Sequence, residues 1–256
     1  MGHLHSTAAD VRNDFLINII KRYIYISQTS QQVNYIDLGC GDGEFANEFM
    51  RRMQIKHLGG IGLDISHKHL LKAVNRDIQY QSYIQYVQGD LEARLPFRDS
   101  CFDIVSLISS LEHVIHKFPL MQEVGRILRG RGLLIIQNPN PYFPLDIHYH
   151  VPFFALYPRS IQAVVKNYMD KWRSKRYGLT LGVDTYFLEY IPISRLIRIC
   201  KKSGFDILSV VSYHYPTELY PWWAQFLIFR SVVRYLPPMG HILVLTKATT
   251  KADSNL

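Results

Sequence analysis

The chain has 256 residues, of which 48% are hydrophobic and 20% are charged, so it has the apolar content for a large core and is not disordered as a whole. Its three distant cysteines fit neither a zinc motif nor a disulfide framework, which favours a reducing, cytoplasmic compartment, and no uncharged run approaches the roughly 20 residues of a membrane-spanning helix. The net charge is +8, but residues 1–138 contain 15 Lys and Arg against 14 Asp and Glu, whereas residues 139–256 contain 14 against 7, so any preference for anionic partners belongs to the second half.

Residues 1–138 alternate between predicted strands and predicted helices. A polar, loose start precedes a helix over Asp10–Gln28, which Asp10 can cap. The alternation that follows is typical of βαβ units, whose right-handed connections give a doubly wound, mostly parallel sheet. Strands are predicted at Val33–Leu38, Gly59–Leu63, Tyr83–Gln88, Cys101–Ile108 and Gly132–Gln137, and helices at Glu44–Met53, Ser66–Arg76 and Pro119–Leu128.

The second half is less regular. Residues 139–190 contain five prolines and many aromatic residues, which predicts an irregular segment. A helix at Ser194–Ser203, closed by Gly204, and strands at Phe205–Ser212 and His241–Thr246 restore the pattern. The predicted organisation is a loose start and helix at 1–30, a core at 31–138, an insertion forming a substrate cap at 139–193, the last helix and two strands at 194–248 with a second insertion at 214–239, and a tail at 249–256.

A glycine loop follows the first predicted strand and opens a helix. Glycines allow positive φ and let a ligand approach bare backbone, while the helix N-terminus offers free N–H groups. Gly41-x-Gly43-x-x-Ala46 fits the relaxed dinucleotide fingerprint of dehydrogenases. Alternatively, Asp37-x-Gly39-x-Gly41-x-Gly43 resembles the first motif of the class I S-adenosylmethionine-dependent methyltransferases.

Later segments favour the methyltransferase resemblance because they occur in that family's order. They are Gln88-Gly-Asp90-Leu91 after the third strand, the Leu95–Val105 run into the fourth, and Ser110-Leu-Glu112-His113 after it, whereas Asp64 at the end of the second strand fits both families. The resemblance implies a Rossmann-like α/β fold with a seven-stranded sheet of order 3-2-1-4-5-7-6, whose last strand is antiparallel. It also implies that Asp37 positions the methionine end of S-adenosylmethionine, that Asp64 holds the ribose and that Asp90 holds the adenine. The cofactor-binding residues it implies are Asp37, Gly39, Cys40, Gly41, Gly43, Asp64, Ile65, Asp90 and Leu91.

Candidate catalytic residues are histidines that follow the fourth and fifth strands. A base is needed only where the acceptor must lose a proton, as a hydroxyl must. Glu112 and His113 resemble part of the Glu, Glu and His segment of ubiquinone-pathway O-methyltransferases, but Ser109 replaces the first acid, so no metal site is predicted. Glu112 and His113 can instead simply begin a helix. His148 and His150 are the second candidates, or else exposed loop residues.

Two basic, aromatic segments bear on the acceptor. Lys166–Tyr177 is compatible with RNA, with an anionic membrane or with a solvated helix face. On a helix, Trp222–Leu236 would have a large apolar face, which fits packing on the sheet or on a partner subunit better than a membrane interface. We expect a methyltransferase that acts on a hydroxyl of a small or lipid-linked molecule, in the cytoplasm and with possible peripheral membrane contact. An RNA methyltransferase, although nucleic acid is not favoured, and a non-catalytic cofactor-binding subunit are the alternatives.

Overall fold

The computed structural model describes residues 2–23, 32–53, 58–146, 151–177, 189–214 and 236–248. Within these ranges the helices are α1 (Gly2–Lys21), α2 (Glu44–Met53), α3 (His67–Tyr80), α4 (Lys117–Ile127), α5 (Arg159–Tyr177) and α6 (Ile193–Lys202). The strands are β1 (Val33–Leu38), β2 (Leu58–Asp64), β3 (Ile84–Gln88), β4 (Phe102–Ile108), β5 (Leu128–Pro139), β6 (Phe205–Tyr213) and β7 (Gly240–Lys247).

The described strands form one seven-stranded sheet with the order β3-β2-β1-β4-β5-β7-β6. Strands β1 to β5 pair in parallel, whereas β7 is antiparallel to both β5 and β6. This arrangement confirms the predicted fold class and strand order. Since the carboxyl ends of parallel strands meet at one edge, the loops after β1, β2, β3, β4 and β5 lie on the same side of the sheet.

Helices cover both faces of the sheet, as a doubly wound fold requires. On one face, α4 and α6 pack on a core that contains Ile36 and Leu38 of β1. On the other face, α1 and α2 pack on a core that contains Tyr35 of the same strand. Because side chains alternate along a strand, Asp37 shares the face of Tyr35 and lies on the α1 and α2 side.

Three predicted elements differ from the structure. Helix α1 begins at Gly2, so Asp10 lies inside it rather than at its start, and the first residues are helical rather than loose. Strand β5 begins at Leu128, which pairs with Phe102, so Leu128 belongs to the sheet and not to the preceding helix. Helix α5 occupies much of the segment predicted to be irregular; it starts after Pro158, whose carbonyl accepts the first backbone hydrogen bonds of the helix.

Two predicted features of the chain lie outside the described residues. They are the end of the Asp10–Gln28 helix beyond Tyr23 and nearly all of Trp222–Leu236. Among the helices that are described, none combines the length and the apolar character needed to cross a membrane.

Candidate cofactor and acceptor site

The loops that follow β1, β2 and β3 are joined by backbone hydrogen bonds into what we call the cofactor edge. The amides of Gly39 and Cys40 donate to the carbonyl oxygen of Leu63 at 2.7 and 3.0 Å, and the amide of Gly89 donates to that of Asp64 at 3.0 Å. These bonds hold the predicted glycine loop against the end of β2. The segments that the sequence assigned to methionine, ribose and adenine are therefore neighbours in the fold.

The three loop glycines have positive φ values of 75°, 55° and 75°. A Cβ atom on Gly39 would lie 2.5 Å from the Cβ of Ser110, and one on Gly43 would lie 2.7 Å from the hydroxyl of Tyr86. A Cβ on Gly41 would meet nothing within 4 Å. Packing thus excludes side chains at Gly39 and Gly43, whereas Gly41 faces open space that a ligand can enter.

Asp64 is fixed at the end of β2 by backbone donors. Its carboxylate accepts hydrogen bonds from the amides of Gly41 and Ser66, both at 2.8 Å. Ser66 caps α3, accepting from the amide of His69 at 3.3 Å. Each carboxylate oxygen retains a second lone pair, so this side chain can accept two further hydrogen bonds from a diol such as ribose.

Asp37 is buried at the end of β1 in a chain of hydroxyl groups. The hydroxyl of Ser106 donates to its carboxylate at 2.5 Å, so the hydroxyl of Tyr35, 2.8 Å from Ser106, must donate to Ser106. Burial raises the pKa of Asp37 to about 7, although the bond from Ser106 and the charge of Arg12 lower it. A cationic ligand nearby would favour the ionised form of this carboxyl group.

Arg12 is a candidate site residue that the sequence did not identify, because its charge acts on Asp37. It lies on α1, its guanidinium is 3.3 Å from the carboxylate of Glu44, and the side-chain amide of Asn13 donates to the same carboxylate oxygen at 3.0 Å. Helix α1 therefore brings a positive charge beside Asp37. No local sequence pattern predicts that Arg12 lies near Asp37, because the position of α1 on the sheet depends on contacts between residues distant in sequence.

The remaining predicted cofactor residues have unequal surroundings. Asp90 is exposed, and one carboxylate oxygen accepts from the amide of Glu92 at 2.8 Å, which forms a local turn and leaves the other oxygen for a ligand. Ile65 is exposed, while Leu91 is half-buried and faces Gly39. Cys40 is buried, and burial raises the pKa of its thiol far above the usual value, so the thiol is not a nucleophile, and the backbone N–H is already bonded to Leu63.

Polar side chains also join the ends of β4, β5 and β6. The hydroxyl of Ser109, a residue with a φ of 51°, donates to the side-chain oxygen of Gln137 at 3.0 Å. The amide nitrogen of Gln137 donates to the hydroxyl of Tyr213 at 2.6 Å. In the sequence, Ser109 was noted only because it replaces the first acidic residue of the ubiquinone-pathway segment. Gln137 and Tyr213 were not identified at all.

Glu112 and His113 lie in a short 3-10 turn after β4. The carbonyl oxygen of Glu112 accepts from the amide of Glu189, and the carboxylate of Glu189 accepts from the buried ammonium of Lys117 at 3.0 Å. The carboxylate of Glu112 also acts electrostatically on Lys117, whose pKa burial lowers. These contacts support a structural role for Glu112, while His113 is half-buried beside it.

The ends of β4 and β5, with residues 139–146 and 189–192, form what we call the acceptor side. Here the hydroxyl of Tyr190 donates to the buried carboxylate of Asp146 at 2.6 Å. Both residues, together with Phe143 and Met239, line a small cavity. His148 and His150 lie outside the described residues. Across the part of the chain that is described, no group of three or more His, Cys, Asp and Glu side chains could hold a metal ion.

Comparisons with known proteins agree with this geometry. The profile of a family described as "Methyltransferase domain" matches residues 36–136. The ubiquinone/menaquinone biosynthesis C-methyltransferase UbiE of Escherichia fergusonii is 30% identical over 192 residues, which cover 70% of this chain and 75% of that protein. The UbiE protein of Vibrio vulnificus is 30% identical over 190 residues, which cover 70% and 72% of the two chains.

Solved structures share the fold at lower identity. The S-adenosylmethionine-dependent methyltransferase of Mesorhizobium loti superimposes with a TM-score of 0.53 at 21% identity, covering 84% of this chain and 91% of that one. The 4+2 cyclase SpnF superimposes with a TM-score of 0.60 at 17% identity, covering 93% and 81%. Since one of these proteins is a cyclase, family membership rests on the sequence relatives rather than on the fold. The chain belongs to the class I methyltransferases, whose cofactor is S-adenosylmethionine.

Proposed function

We propose that this methyltransferase acts on a hydroxyl group of a small or lipid-linked molecule, which binds at the acceptor side beneath an insertion spanning residues 139–193. The observation that carries the proposal is the Asp146–Tyr190 hydrogen bond beside a cavity at the carboxyl end of β5. A buried carboxylate and a phenol at this place can bind a hydroxyl group and accept its proton. The protein would work in the cytoplasm, with peripheral membrane contact where the acceptor is lipid-linked.

The cofactor edge has the groups that S-adenosylmethionine requires. Asp64 would accept the ribose hydroxyls, Asp37 would face the cationic methionine end, and Asp90 with Leu91 would hold the adenine. The open space at Gly41 supports this assignment because a ligand can lie against the backbone there. When bound, the cofactor supplies an electrophilic methyl group on a sulfonium centre.

The acceptor side lies at a suitable distance from this edge. Strand β5 is separated from β1 by β4 alone, and adjacent strands are about 4.8 Å apart, so the ends of β1 and β5 are about 10 Å apart. An acceptor held at Asp146 and Tyr190 would therefore reach towards the end of β4. Asp146 joins His113, His148 and His150 as a candidate for receiving the acceptor's proton.

Methylation of a ring carbon is the second candidate, and the UbiE relatives favour it because they are named C-methyltransferases. The two reactions share their first requirement. Loss of a phenolic proton increases the electron density on the oxygen and also on the neighbouring ring carbons, so one base and one cavity can serve either outcome. The orientation of the bound acceptor then decides which atom faces the methyl group.

A product screen tests the proposal. Purified protein and S-adenosylmethionine are incubated with polar and lipid extracts, and mass spectrometry identifies compounds that gain one CH₂ unit. We expect a product from the phenolic or lipid fraction that disappears with Asp64→Ala, and NMR of its new methyl group distinguishes oxygen from carbon. Methylated RNA as the only product would replace the proposal with the RNA alternative, and cofactor binding without any product would favour a non-catalytic subunit.

A further inference from the structure

Helix α5 has a row of exposed apolar side chains that the methyl-transfer site does not use. Ile161, Val164, Tyr168 and Trp172 are exposed by 48%, 68%, 68% and 43%. Their spacing of three, four and four residues places them within an arc of about 80° on one side of the helix. We call this row the α5 face. Exposed apolar residues that are contiguous in this way mark surfaces that bind a partner or a membrane.

The charges around the α5 face have one sign. Lys175 falls within the same arc and Lys171 falls at its edge, and both are exposed. Residues 159–177 contain six Lys and Arg against one acidic residue. An apolar row with lysines beside it is complementary to a surface that is apolar within and anionic outside.

A second exposed row, on α3, shows that apolar exposure alone does not make such a surface. Leu71 and Ile78 of α3 are exposed by 54% and 70%. This helix contains three Lys and Arg against one acidic residue, so its excess of positive charge is smaller. It also has no exposed tryptophan in its row. The combination of aliphatic, aromatic and cationic side chains is what distinguishes α5.

We infer that the α5 face is a docking surface for the anionic surface of a lipid bilayer. The lysines would lie among the headgroups while Tyr168 and Trp172 reach the boundary with the acyl chains. Burial of the aliphatic side chains of Ile161 and Val164 at this apolar boundary would stabilise the bound state, whereas an RNA partner would stack only on the aromatic rings. Residues 215–235 of this chain carry one Glu and two Arg, so they lack the negative charge that the lysines favour.

This inference deepens the proposed lipid-linked acceptor, because α5 belongs to the insertion that would cover the acceptor. Docking α5 on a bilayer would bring the acceptor side close to the membrane surface. Vesicle binding needs no turnover, so its failure would leave methyl transfer to a soluble acceptor intact. Likewise, a product screen that finds no methylated compound would not contradict binding of the protein to vesicles.

Flotation of the full chain with phosphatidylcholine vesicles, with and without phosphatidylglycerol, tests the inference. We expect binding that requires phosphatidylglycerol and weakens with salt. Tyr168→Ser/Trp172→Ser and Lys171→Glu/Lys175→Glu should each lower the apparent affinity at least about tenfold. Leu71→Ser/Ile78→Ser on α3 is the matched control and should bind like the unmodified protein.

A fluorescence measurement assigns the contact to α5. The chain has three tryptophans, so in Trp222→Phe/Trp223→Phe only Trp172 remains, and its emission should shift to the blue when anionic vesicles are added. Circular dichroism and S-adenosylmethionine binding should be unchanged in every variant, which excludes misfolding. No binding to anionic vesicles, an equal loss in the α3 control, an unshifted Trp172 or binding to RNA alone would overturn the inference.

Discussion

The cofactor edge and the acceptor side are built in different ways. At the cofactor edge, backbone amides of the loops after β1, β2 and β3 make the decisive hydrogen bonds, and glycines provide the space. At the acceptor side, side chains far apart in sequence meet, as Asp146 and Tyr190 do. A local sequence motif therefore identifies the cofactor edge, whereas the acceptor side depends on contacts between residues that are distant in sequence.

Gly39→Ala should have the largest effect on the free energy of unfolding, because it disrupts the packing of the cofactor edge. Its Cβ would lie 2.5 Å from the Cβ of Ser110, in a backbone conformation that side chains rarely adopt. We expect a loss of about 2–4 kcal/mol in the free energy of unfolding, measured by urea denaturation. Gly41→Ala, which meets no atom within 4 Å, should cost only about 1 kcal/mol in stability. Equal losses for the two variants would contradict the packing described here.

Asp64→Ala should weaken S-adenosylmethionine binding by about 1–3 kcal/mol, because it removes charge-assisted hydrogen bonds to the ribose. Isothermal titration calorimetry measures this change. Asp99→Ala, at an exposed carboxylate paired with Arg126 away from the glycine loop, is a control that should bind normally. An unchanged affinity in Asp64→Ala would mean that the ribose lies elsewhere.

Tyr190→Phe should change the acceptor side and leave the cofactor edge unchanged. It removes the donor to Asp146 without changing the cofactor edge, so the cofactor affinity should stay constant. We expect kcat/KM for the acceptor to fall roughly tenfold, as the loss of a hydrogen bond to a charged group implies. A matching fall in cofactor affinity would show that the regions are not independent.

Cofactor binding should also depend on the ionisation of Asp37. Burial raises its pKa to about 7, and a cationic ligand favours the ionised form, so protons compete with the ligand below that pH. The affinity should therefore fall roughly tenfold between about pH 8 and about pH 6. Asp37→Asn should bind more weakly and lose this dependence; a pH profile identical to that of the unmodified protein would assign the titration to another group.

Much of the fold was predictable because parallel strands that are buried on both faces appear as short apolar runs between helices. The ends of β1 and α2 matched the prediction, since glycines mark the strand end and the helix start. Helix α5 was predicted only as one interpretation of Lys166–Tyr177, because the prolines before it dominate the composition of that segment. Leu128 was assigned to a helix because nothing local signals its pairing with Phe102.

The candidate site, like the fold, was predictable only in part. Asp37, Asp64 and the glycines lie in one motif order, and the structure brings them to one edge. Arg12 and Tyr190 lie near the candidate site because of contacts between residues distant in sequence, which no motif spacing predicts. Glu112 looked like a catalytic neighbour of His113, but its link to Glu189 and Lys117 supports a structural role.

The most direct measurement is a calorimetric titration of the unmodified protein, Asp64→Ala and Tyr190→Phe with S-adenosylhomocysteine, the demethylated cofactor. If the ligand lies along the loops after β1, β2 and β3, the unmodified protein and Tyr190→Phe will bind it equally and Asp64→Ala will bind it at least several-fold more weakly. No heat with the unmodified protein, or three equal affinities, would contradict the assignment of the cofactor to this edge.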